Sequence, residues 1–237
     1  MSKVAIITGA SRGIGRETAK RFWNTVNEYS TLVLLARKSE DFEDVIEFMG
    51  NNNPYRKNFF YNFVDIGNRE KLQSTIKTIY KDVGNVDLLV NCAGYTNPIP
   101  LQQIEFGDFE RTMAVNLYGP FTIIQELLHL GNRFEVIINI SSTAGIVGRS
   151  GWLTYSAAKA ALINMSQVLQ EELSIYGTRV VSLSPGRTAT ALRKILAPEE
   201  DLSTIMQPEN VAEVIEMLSS PIGQFIDSEN LVVRKKT

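Results

Sequence analysis

The stretch that decides the fold is KVAIITGASRGIG, residues 3–15. Its first part, VAIIT at 4–8, is a short apolar run rich in β-branched residues, which is typical of a buried strand. Gly9 then allows a tight turn, Gly13 lets the backbone approach a pyrophosphate, and Gly15 allows a helix to pack closely on the strand. The helix that starts here would point its free N–H groups and positive dipole end at phosphates. In this strand–turn–helix context the spacing G-x3-G-x-G predicts a dinucleotide-binding site.

The same alternation of short apolar runs and longer helical patterns continues along the chain. Strands are predicted at 4–8, 31–36, 59–64, 86–91, 135–140, 179–184 and 230–235. Helices are predicted at about 13–26, 40–50, 68–83, 107–130, 152–176 and 208–219. The alternation predicts an α/β fold, a doubly wound parallel sheet (Rossmann fold) of about seven strands with helices on both faces.

Three further expectations follow from this pattern. The first six strands are apolar enough to be covered on both faces. Gly119-Pro120 should kink the fourth helix. Because the sequence contains neither a linker nor an internal repeat, residues 1–237 are expected to form a single Rossmann-type dinucleotide-binding and catalytic domain.

The composition argues against several classes of function. Of the 237 residues, 44% are hydrophobic and 21% are charged, and the net charge is −2. This is ordinary for a globular protein and offers no basic surface for nucleic acid or a membrane. The single cysteine, Cys92, and the single histidine, His129, exclude an intramolecular disulfide and a Cys/His metal cluster. No apolar run reaches ~18 residues, and the chain opens on a strand pattern rather than a signal peptide, so we expect a soluble cytoplasmic protein without a metal.

The residues after the second strand bear on the choice of nicotinamide cofactor. An NAD site usually has an acid here that bonds the ribose 2′-hydroxyl, but this strand ends with Ala36 and Arg37. Arg12 lies in the glycine turn itself. Two guanidiniums near the adenosine ribose suit a 2′-phosphate, because the planar fork of Arg matches phosphate oxygens. The pattern favours NADP(H) over NAD(H), with an Arg37 that merely begins an exposed loop as the alternative.

Three polar side chains form a candidate reactive group. Tyr155 and Lys159, in TYSAAKAAL at 154–162, are four residues apart and therefore share one face of a helix. Taken alone, such a pair is more typical of a solvated surface helix. Ser142, in NISSTAG, lies at the carboxyl end of the fifth strand, where ligands bind in open α/β sheets. A hydroxyl, a phenol and an ammonium could then meet beside the cofactor.

At these residues the sequence resembles the short-chain dehydrogenase/reductase family, as an NADP(H)-preferring member. The resemblance covers residues 4 to about 190 in family order, through Thr8-Gly9-x3-Gly13-x-Gly15, Asp65, Asn91-Cys92-Ala93-Gly94, Asn116, Ser142, Tyr155-x3-Lys159 and Pro185-Gly186. It implies an oxidoreductase that transfers a hydride between NADP(H) and a carbonyl or alcohol substrate, of the carbonyl reductase or alcohol dehydrogenase type. It also implies a small-molecule substrate and a homodimer or homotetramer.

The family's catalytic roles fall on four residues. Tyr155 would be the general acid for carbonyl reduction or the base for alcohol oxidation. Lys159 would lower the pKa of the phenol and hold the nicotinamide ribose. Ser142 would orient the substrate oxygen. Asn116 would kink its helix and hold a water that completes a proton relay from Lys159.

The resemblance also implies a set of cofactor contacts. They are Gly9, Ser11, Arg12, Gly13, Ile14, Gly15, Arg37, Asp65, Ile66, Asn91, Ala93, Gly94, Tyr155, Lys159, Pro185, Gly186, Thr188 and Thr190. Asp65 would bond the adenine amino group, with a simple helix-start residue as the alternative. Cys92 is expected to be buried and inert.

The substrate is not encoded in these motifs. Candidate lining residues are Tyr95, Thr96, Ala144, Ile146, Trp152 and Arg187, with Arg149 in a flanking loop. One hypothesis is that Arg187, with Arg193, binds an anionic group; the alternative is an exposed Arg on a loop.

Two other classes of function stay open at this point. One is a non-catalytic NADP(H)-binding sensor or scaffold on the same fold. The other is a nucleotide-binding methyltransferase, which shares the glycine-rich turn but does not need Ser142, Tyr155 and Lys159.

Overall fold

The computed structural model describes residues 3–226 and 230–235. Its strands are β1 Lys3–Thr8, β2 Tyr29–Ala36, β3 Asn58–Phe63, β4 Leu88–Asn91, β5 Val136–Ile140, β6 Arg179–Pro185 and β7 Asn230–Val233. They form one sheet in the order β3-β2-β1-β4-β5-β6-β7, and every neighbouring pair is parallel. This confirms the predicted fold class.

Eight α-helices occur within the described residues. They are α1 Gly13–Asn24, α2 Glu40–Asn51, α3 Arg69–Val83, α4 Phe106–Met113, α5 Gly119–His129, α6 Leu153–Leu173, α7 Ala191–Leu196 and α8 Pro208–Ser219. The predicted helix over 107–130 is α4 and α5, joined by a π-helical turn at Ala114–Tyr118. Helix α7 was not predicted from the sequence; it starts where the Thr190 side chain accepts a hydrogen bond from the Arg193 N–H.

The strand order creates a crevice above β1 and β4. The chain runs from β1 outward through β2 and β3, and then returns to the other side of β1 as β4. The carboxyl ends of these two strands are joined by the Thr8 hydroxyl, which accepts hydrogen bonds from the N–H groups of Cys92 at 3.0 Å and Ala93 at 3.1 Å. Ligands of open α/β sheets bind at such a reversal of strand order.

Each face of the sheet has its own core. Along β1, Ala5 and Ile7 face a cluster formed with α1, α2 and α8, while Val4 and Ile6 face a second cluster formed with α3, α5 and α6. This alternation follows from the two-residue period of a strand. The prediction that strands are covered on both faces is therefore confirmed for β1.

Strand β3 contradicts that prediction. It is the edge strand of the sheet, and Phe60, Tyr61 and Phe63 are each more than 40% exposed. Its apolar composition instead produces a row of rings along one side, in which Tyr61 contacts both Phe59 and Phe63. The aromatic run indicates a strand, but it does not indicate burial on two faces.

The described residues contain neither a membrane-spanning helix nor a metal-binding cluster of side chains. None of the helices in 3–226 is long and apolar enough to cross a bilayer. Within 3–226 and 230–235, no group of three His, Cys, Asp or Glu side chains is placed to hold a metal ion.

Candidate active site

The glycine-rich turn has the geometry expected of a phosphate cradle. Gly9 and Gly13 have φ values of +67° and +58°, which favour glycine. A Cβ atom on Gly15 would lie 2.3 Å from the carbonyl oxygen of Gly9, so α1 packs directly on the end of β1. The first N–H groups of α1 consequently face the crevice. The predicted uses of Gly9 and Gly15 are confirmed.

A cleft of about 480 Å³ opens above the carboxyl ends of the strands. Most of the predicted site residues lie on its wall: Gly9, Ser11, Arg12, Gly13, Ile14, Arg37, Asp65, Ile66, Ala93, Gly94, Ser142, Tyr155, Lys159, Pro185, Gly186, Thr188 and Thr190. Three others, Gly15, Asn91 and Asn116, lie behind the wall and shape it from there. The segments predicted to form the site therefore line one cleft.

Asn91 and Asn116 act on the wall through hydrogen bonds. The Asn91 side-chain amide donates to the side-chain oxygen Oδ1 of Asn139 at 2.8 Å, and this bond joins β4 to β5. The fully buried Asn116 sits in the π-helical turn and donates to the carbonyl oxygens of Tyr95 and Thr112, both at 2.8 Å. Its own carbonyl oxygen accepts from the Tyr95 N–H at 3.3 Å. Asn116 thus clamps the segment that follows β4.

One end of the cleft is cationic. Arg12 and Arg37 are exposed on its wall, and among the described residues no carboxylate lies within ion-pair distance of either guanidinium. Lys38 adds a third positive charge to the wall. This is the composition that a 2′-phosphate would require.

Asp65 is held by a residue that the sequence analysis did not single out. Its carboxylate accepts from the Arg111 guanidinium and from the Gly67 N–H, at 2.8 and 2.9 Å respectively. The Arg111 hydrogen bond holds the pKa of Asp65 below its usual value even though burial acts against it. Asn68 caps α3, so Asp65 is not the helix-start residue of the alternative interpretation.

The three predicted reactive groups do meet. Gly145 packs on the α6 backbone so closely that a Cβ there would lie 2.7 Å from Lys159, and this brings the segment after β5 against α6. The Ser142 hydroxyl accepts a hydrogen bond from the Ala144 N–H at 3.1 Å and lies close enough to the Tyr155 phenol to lower its pKa. The Lys159 ammonium donates to the Ile140 carbonyl oxygen at 2.8 Å and lies 5.8 Å from the centre of the Tyr155 ring.

The pKa values of this group differ from the sequence-based expectation. Burial raises the pKa of Tyr155 to about 12, and the Ser142 hydrogen bond opposes this only in part. Burial lowers the pKa of Lys159 to about 8. In the protein without its cofactor, the pKa of the phenol is therefore raised and not lowered as predicted. The cost of moving a phenolate out of water outweighs the attraction of the Lys159 ammonium, which points at Ile140.

Cys92 is more exposed to solvent than predicted. It is partly exposed at the wall of the cleft rather than fully buried. Desolvation nevertheless raises the pKa of its thiol to about 12, so it stays protonated at neutral pH and is a poor nucleophile. The predicted inertness is consistent with this pKa.

The other end of the cleft contains the candidate substrate contacts. Thr96, Trp152 and Arg187 line it, together with Arg149 and Arg193. Tyr95 also lines the cleft, but its ring lies 5.8 Å from the guanidinium of Arg111, on the side of Asp65. The predictions for Ala144 and Ile146 were wrong: the 3₁₀ turn at Thr143–Gly145 directs the chain away, and neither residue reaches the cleft wall.

Two features of this end have no signal in the sequence. Helix α7 contributes an apolar wall through Ala191, Leu192, Ile195 and Leu196. Glu200 accepts hydrogen bonds from Arg187 at 3.2 Å and from Arg193 at 2.5 and 2.9 Å. Arg187 is exposed on the loop between β6 and α7, as the alternative interpretation expected, and it pairs there with Glu200.

Comparisons with known proteins identify the family of this chain. The sequence model of the family described as short chain dehydrogenase matches residues 3–201. A 3-oxoacyl-(acyl-carrier-protein) reductase of Synechocystis sp. is 32% identical, over 98% of this chain and 95% of the relative. An NAD-dependent glycerol dehydrogenase of Listeria innocua is 31% identical, over 98% of this chain and 92% of the relative. A short chain dehydrogenase from Shigella flexneri 2a, solved in complex with NADP, superposes with a TM-score of 0.85 at 26% identity, covering 97% of this chain and 95% of that one.

Proposed function

The chain belongs to the short chain dehydrogenase family, and on this basis we propose that it is an NADP(H)-dependent oxidoreductase that interconverts a carbonyl and an alcohol. The observation that carries the proposal is that Ser142, Tyr155 and Lys159 all lie on the wall of the glycine-lined cleft, with the Lys159 ammonium 5.8 Å from the centre of the Tyr155 ring. The names of two relatives, a 3-oxoacyl reductase and a glycerol dehydrogenase, describe the two directions of such a reaction.

The residues at the cleft fit a dinucleotide. The turn at Gly9 and Gly13 leaves backbone where a side chain would otherwise stand, and α1 presents its N-terminus there, so a pyrophosphate has both room and N–H donors. When bound, the nicotinamide cofactor would supply or accept the hydride. Arg12 and Arg37, without carboxylate partners in the described part of the chain, support NADP(H) rather than NAD(H).

The protein's own part of the reaction is proton transfer to the substrate oxygen. With its pKa raised, Tyr155 is a neutral phenol at pH 7 and can donate a proton to a carbonyl oxygen as that oxygen gains charge. Ser142, held by the Ala144 N–H, donates a second hydrogen bond to the same oxygen. At pH 7 the phenol is therefore in the protonated form that carbonyl reduction requires, while its raised pKa makes it a weaker acid than a free tyrosine.

Lys159 and Asn116 support this step. Lys159 remains protonated below about pH 8 and places a positive charge behind the phenol that is losing its proton. The side chain of Asn116 is already bonded to Tyr95 and Thr112, so we assign it as a positioning residue for the Tyr95 segment. The relay water expected from the resemblance stays a prediction, as do the homodimer or homotetramer and the cytoplasmic location.

Turnover distinguishes the enzyme from a non-catalytic NADP(H) sensor. A panel of ketones, aldehydes, sugars and polyol phosphates is mixed with NADPH and followed by absorbance. Tyr155→Phe should lower kcat by roughly 10²–10⁴-fold, the usual size of a general acid's contribution, while NADPH binding is retained. Tyr176→Phe, at a tyrosine that is 53% exposed and outside the cleft, is the matched control. Wild-type protein that binds NADPH yet reduces no member of the panel would favour the sensor.

A further inference from the structure

The substrate end of the cleft carries an excess of positive charge. Arg149, Arg187 and Arg193 lie on its wall, and Glu200 is the carboxylate that faces them. The acids that line the cleft, Asp41 and Asp65, belong to segments after β2 and β3 at the adenosine end. Among the described residues, three guanidiniums at this end therefore face one carboxylate, and positive charge is in excess.

Glu200 divides these three guanidiniums into two kinds. It pairs with Arg193 through two hydrogen bonds and with Arg187 through one, so both are already occupied. Arg149 has no carboxylate partner among the described residues. The free guanidinium of this site is therefore Arg149 rather than Arg187.

Arg149 is also preorganised. Its guanidinium lies 5.5 Å from the centre of the Trp152 ring, and the guanidinium of Arg193 lies 5.7 Å from the same ring. Stacking on an aromatic face restricts the orientation of an Arg fork while leaving its N–H groups available for two oxygens. Because two guanidiniums lie beside one ring, the electrostatic potential there is positive and attracts an anion.

The position of Trp152 connects this anion site to the reaction. Trp152 is the N-cap of α6 and precedes Tyr155 by three residues, so both belong to the first turn of that helix. The first turn of α6 contains no acidic residue, and its N–H groups add to the positive potential. An anionic group bound here would belong to the same molecule whose carbonyl oxygen meets Tyr155.

We propose that the substrate is a ketone, or the corresponding alcohol, that carries a carboxylate or phosphate, and that Arg149 binds this group against Trp152. The inference rests on the proposed reductase function and deepens it. It moves the anion-binding role that the sequence suggested for Arg187 to Arg149, because the guanidiniums of Arg187 and Arg193 are already hydrogen-bonded to Glu200.

Matched pairs of ketones test the inference. Dihydroxyacetone phosphate is compared with dihydroxyacetone, and acetoacetate with its methyl ester, by the ratio of kcat/KM within each pair. We expect wild-type protein to prefer the anionic member of at least one pair, and the pair that shows the preference identifies phosphate or carboxylate. Arg149→Met should lower that ratio by roughly 10- to 150-fold, the range for loss of a charge-assisted hydrogen bond.

Arg133→Met is the matched control. Arg133 also stacks on an aromatic ring, that of Tyr176 at 4.5 Å, but it lies outside the cleft. The Arg133→Met substitution removes the same charge and the same kind of aromatic contact as Arg149→Met, and it should leave the kcat/KM ratio unchanged. A wild-type ratio near one in both pairs, or equal effects of the two substitutions, would overturn the anion site while leaving the reductase proposal in place.

If no ketone is reduced, the proposed reductase function fails. The anion site can still be tested in that case by a binding measurement. The chain has two tryptophans, and Trp23 is fully buried, so ligand-induced changes in fluorescence report on Trp152. Titration with dihydroxyacetone phosphate and with acetoacetate should give a saturable change with at least one of them in wild-type protein and none in Arg149→Met. No change in either protein, or the same change in both, would overturn the anion site.

Discussion

The ionisation of Lys159 offers the sharpest quantitative test of the proposed proton transfer. Its side chain is only 4% exposed, and burial lowers its pKa from 10.5 to about 8. At that pKa roughly nine-tenths of the molecules carry the ammonium at pH 7 and roughly one-tenth at pH 9. If carbonyl reduction needs the ammonium behind Tyr155, the rate should fall about ninefold over this interval.

The fall in rate with rising pH is expected from Lys159 and not from Tyr155. Tyr155, with a pKa of about 12, remains a protonated acid throughout the interval and cannot cause the loss. The assay is kcat/KM for the ketone at saturating NADPH, because this constant includes the proton-transfer step and reports ionisations of the enzyme form that binds the ketone. In Lys159→Arg the positive charge persists to higher pH, so the decline near pH 8 should disappear. A wild-type rate that stays level from pH 7 to pH 9, or an identical decline in Lys159→Arg, would refute the reasoning.

Two further predictions concern the cofactor end of the cleft. Arg37→Ala should weaken NADPH binding by about 1.5–3 kcal/mol and leave NADH binding nearly unchanged, as measured by calorimetry with Arg133→Ala as the control; equal losses for both cofactors would contradict the 2′-phosphate assignment. Gly15→Ala should lower the free energy of unfolding in urea by about 1–3 kcal/mol or more, because the added methyl would lie 2.3 Å from the Gly9 carbonyl oxygen. Gly50→Ala, at a helical glycine with open space around it, should change that free energy by no more than about 1 kcal/mol, and similar effects at the two positions would refute the packing argument.

The sheet was predictable because its central strands are short apolar runs separated by helical patterns. The errors occur where tertiary position overrides composition. Strand β3 is aromatic yet forms the sheet's edge, and the row of rings on one side replaces burial on two faces. The single helix predicted over 107–130 is instead two helices separated by a π-helical turn at Ala114–Tyr118. This turn contains Asn116 and directly precedes Gly119-Pro120, the two places where a kink was expected.

The candidate site was predictable to the extent that local motifs define it. Ser142, Tyr155 and Lys159 meet because the strand end and the helix that carry them are each recognisable from sequence. Arg111 could not have been found this way, since the 46 residues that separate it from Asp65 carry no pattern that pairs them. The raised pKa of Tyr155 was missed for a different reason: the sequence gives the charge of Lys159 but not the extent to which the phenol is buried.

The central claim, that this cleft transfers a hydride to a carbonyl carbon while Tyr155 supplies the proton, is tested most directly by isotope transfer. NADPH carrying deuterium at nicotinamide C4 is incubated with a ketone that the enzyme reduces, in ordinary water, and the alcohol is analysed by mass spectrometry and NMR. We predict deuterium on the carbinol carbon and hydrogen on the oxygen with wild-type protein, and no deuterated alcohol above background with Tyr155→Phe. An alcohol whose carbinol hydrogen comes from water, or an equal yield of deuterated alcohol from Tyr155→Phe, would contradict the account.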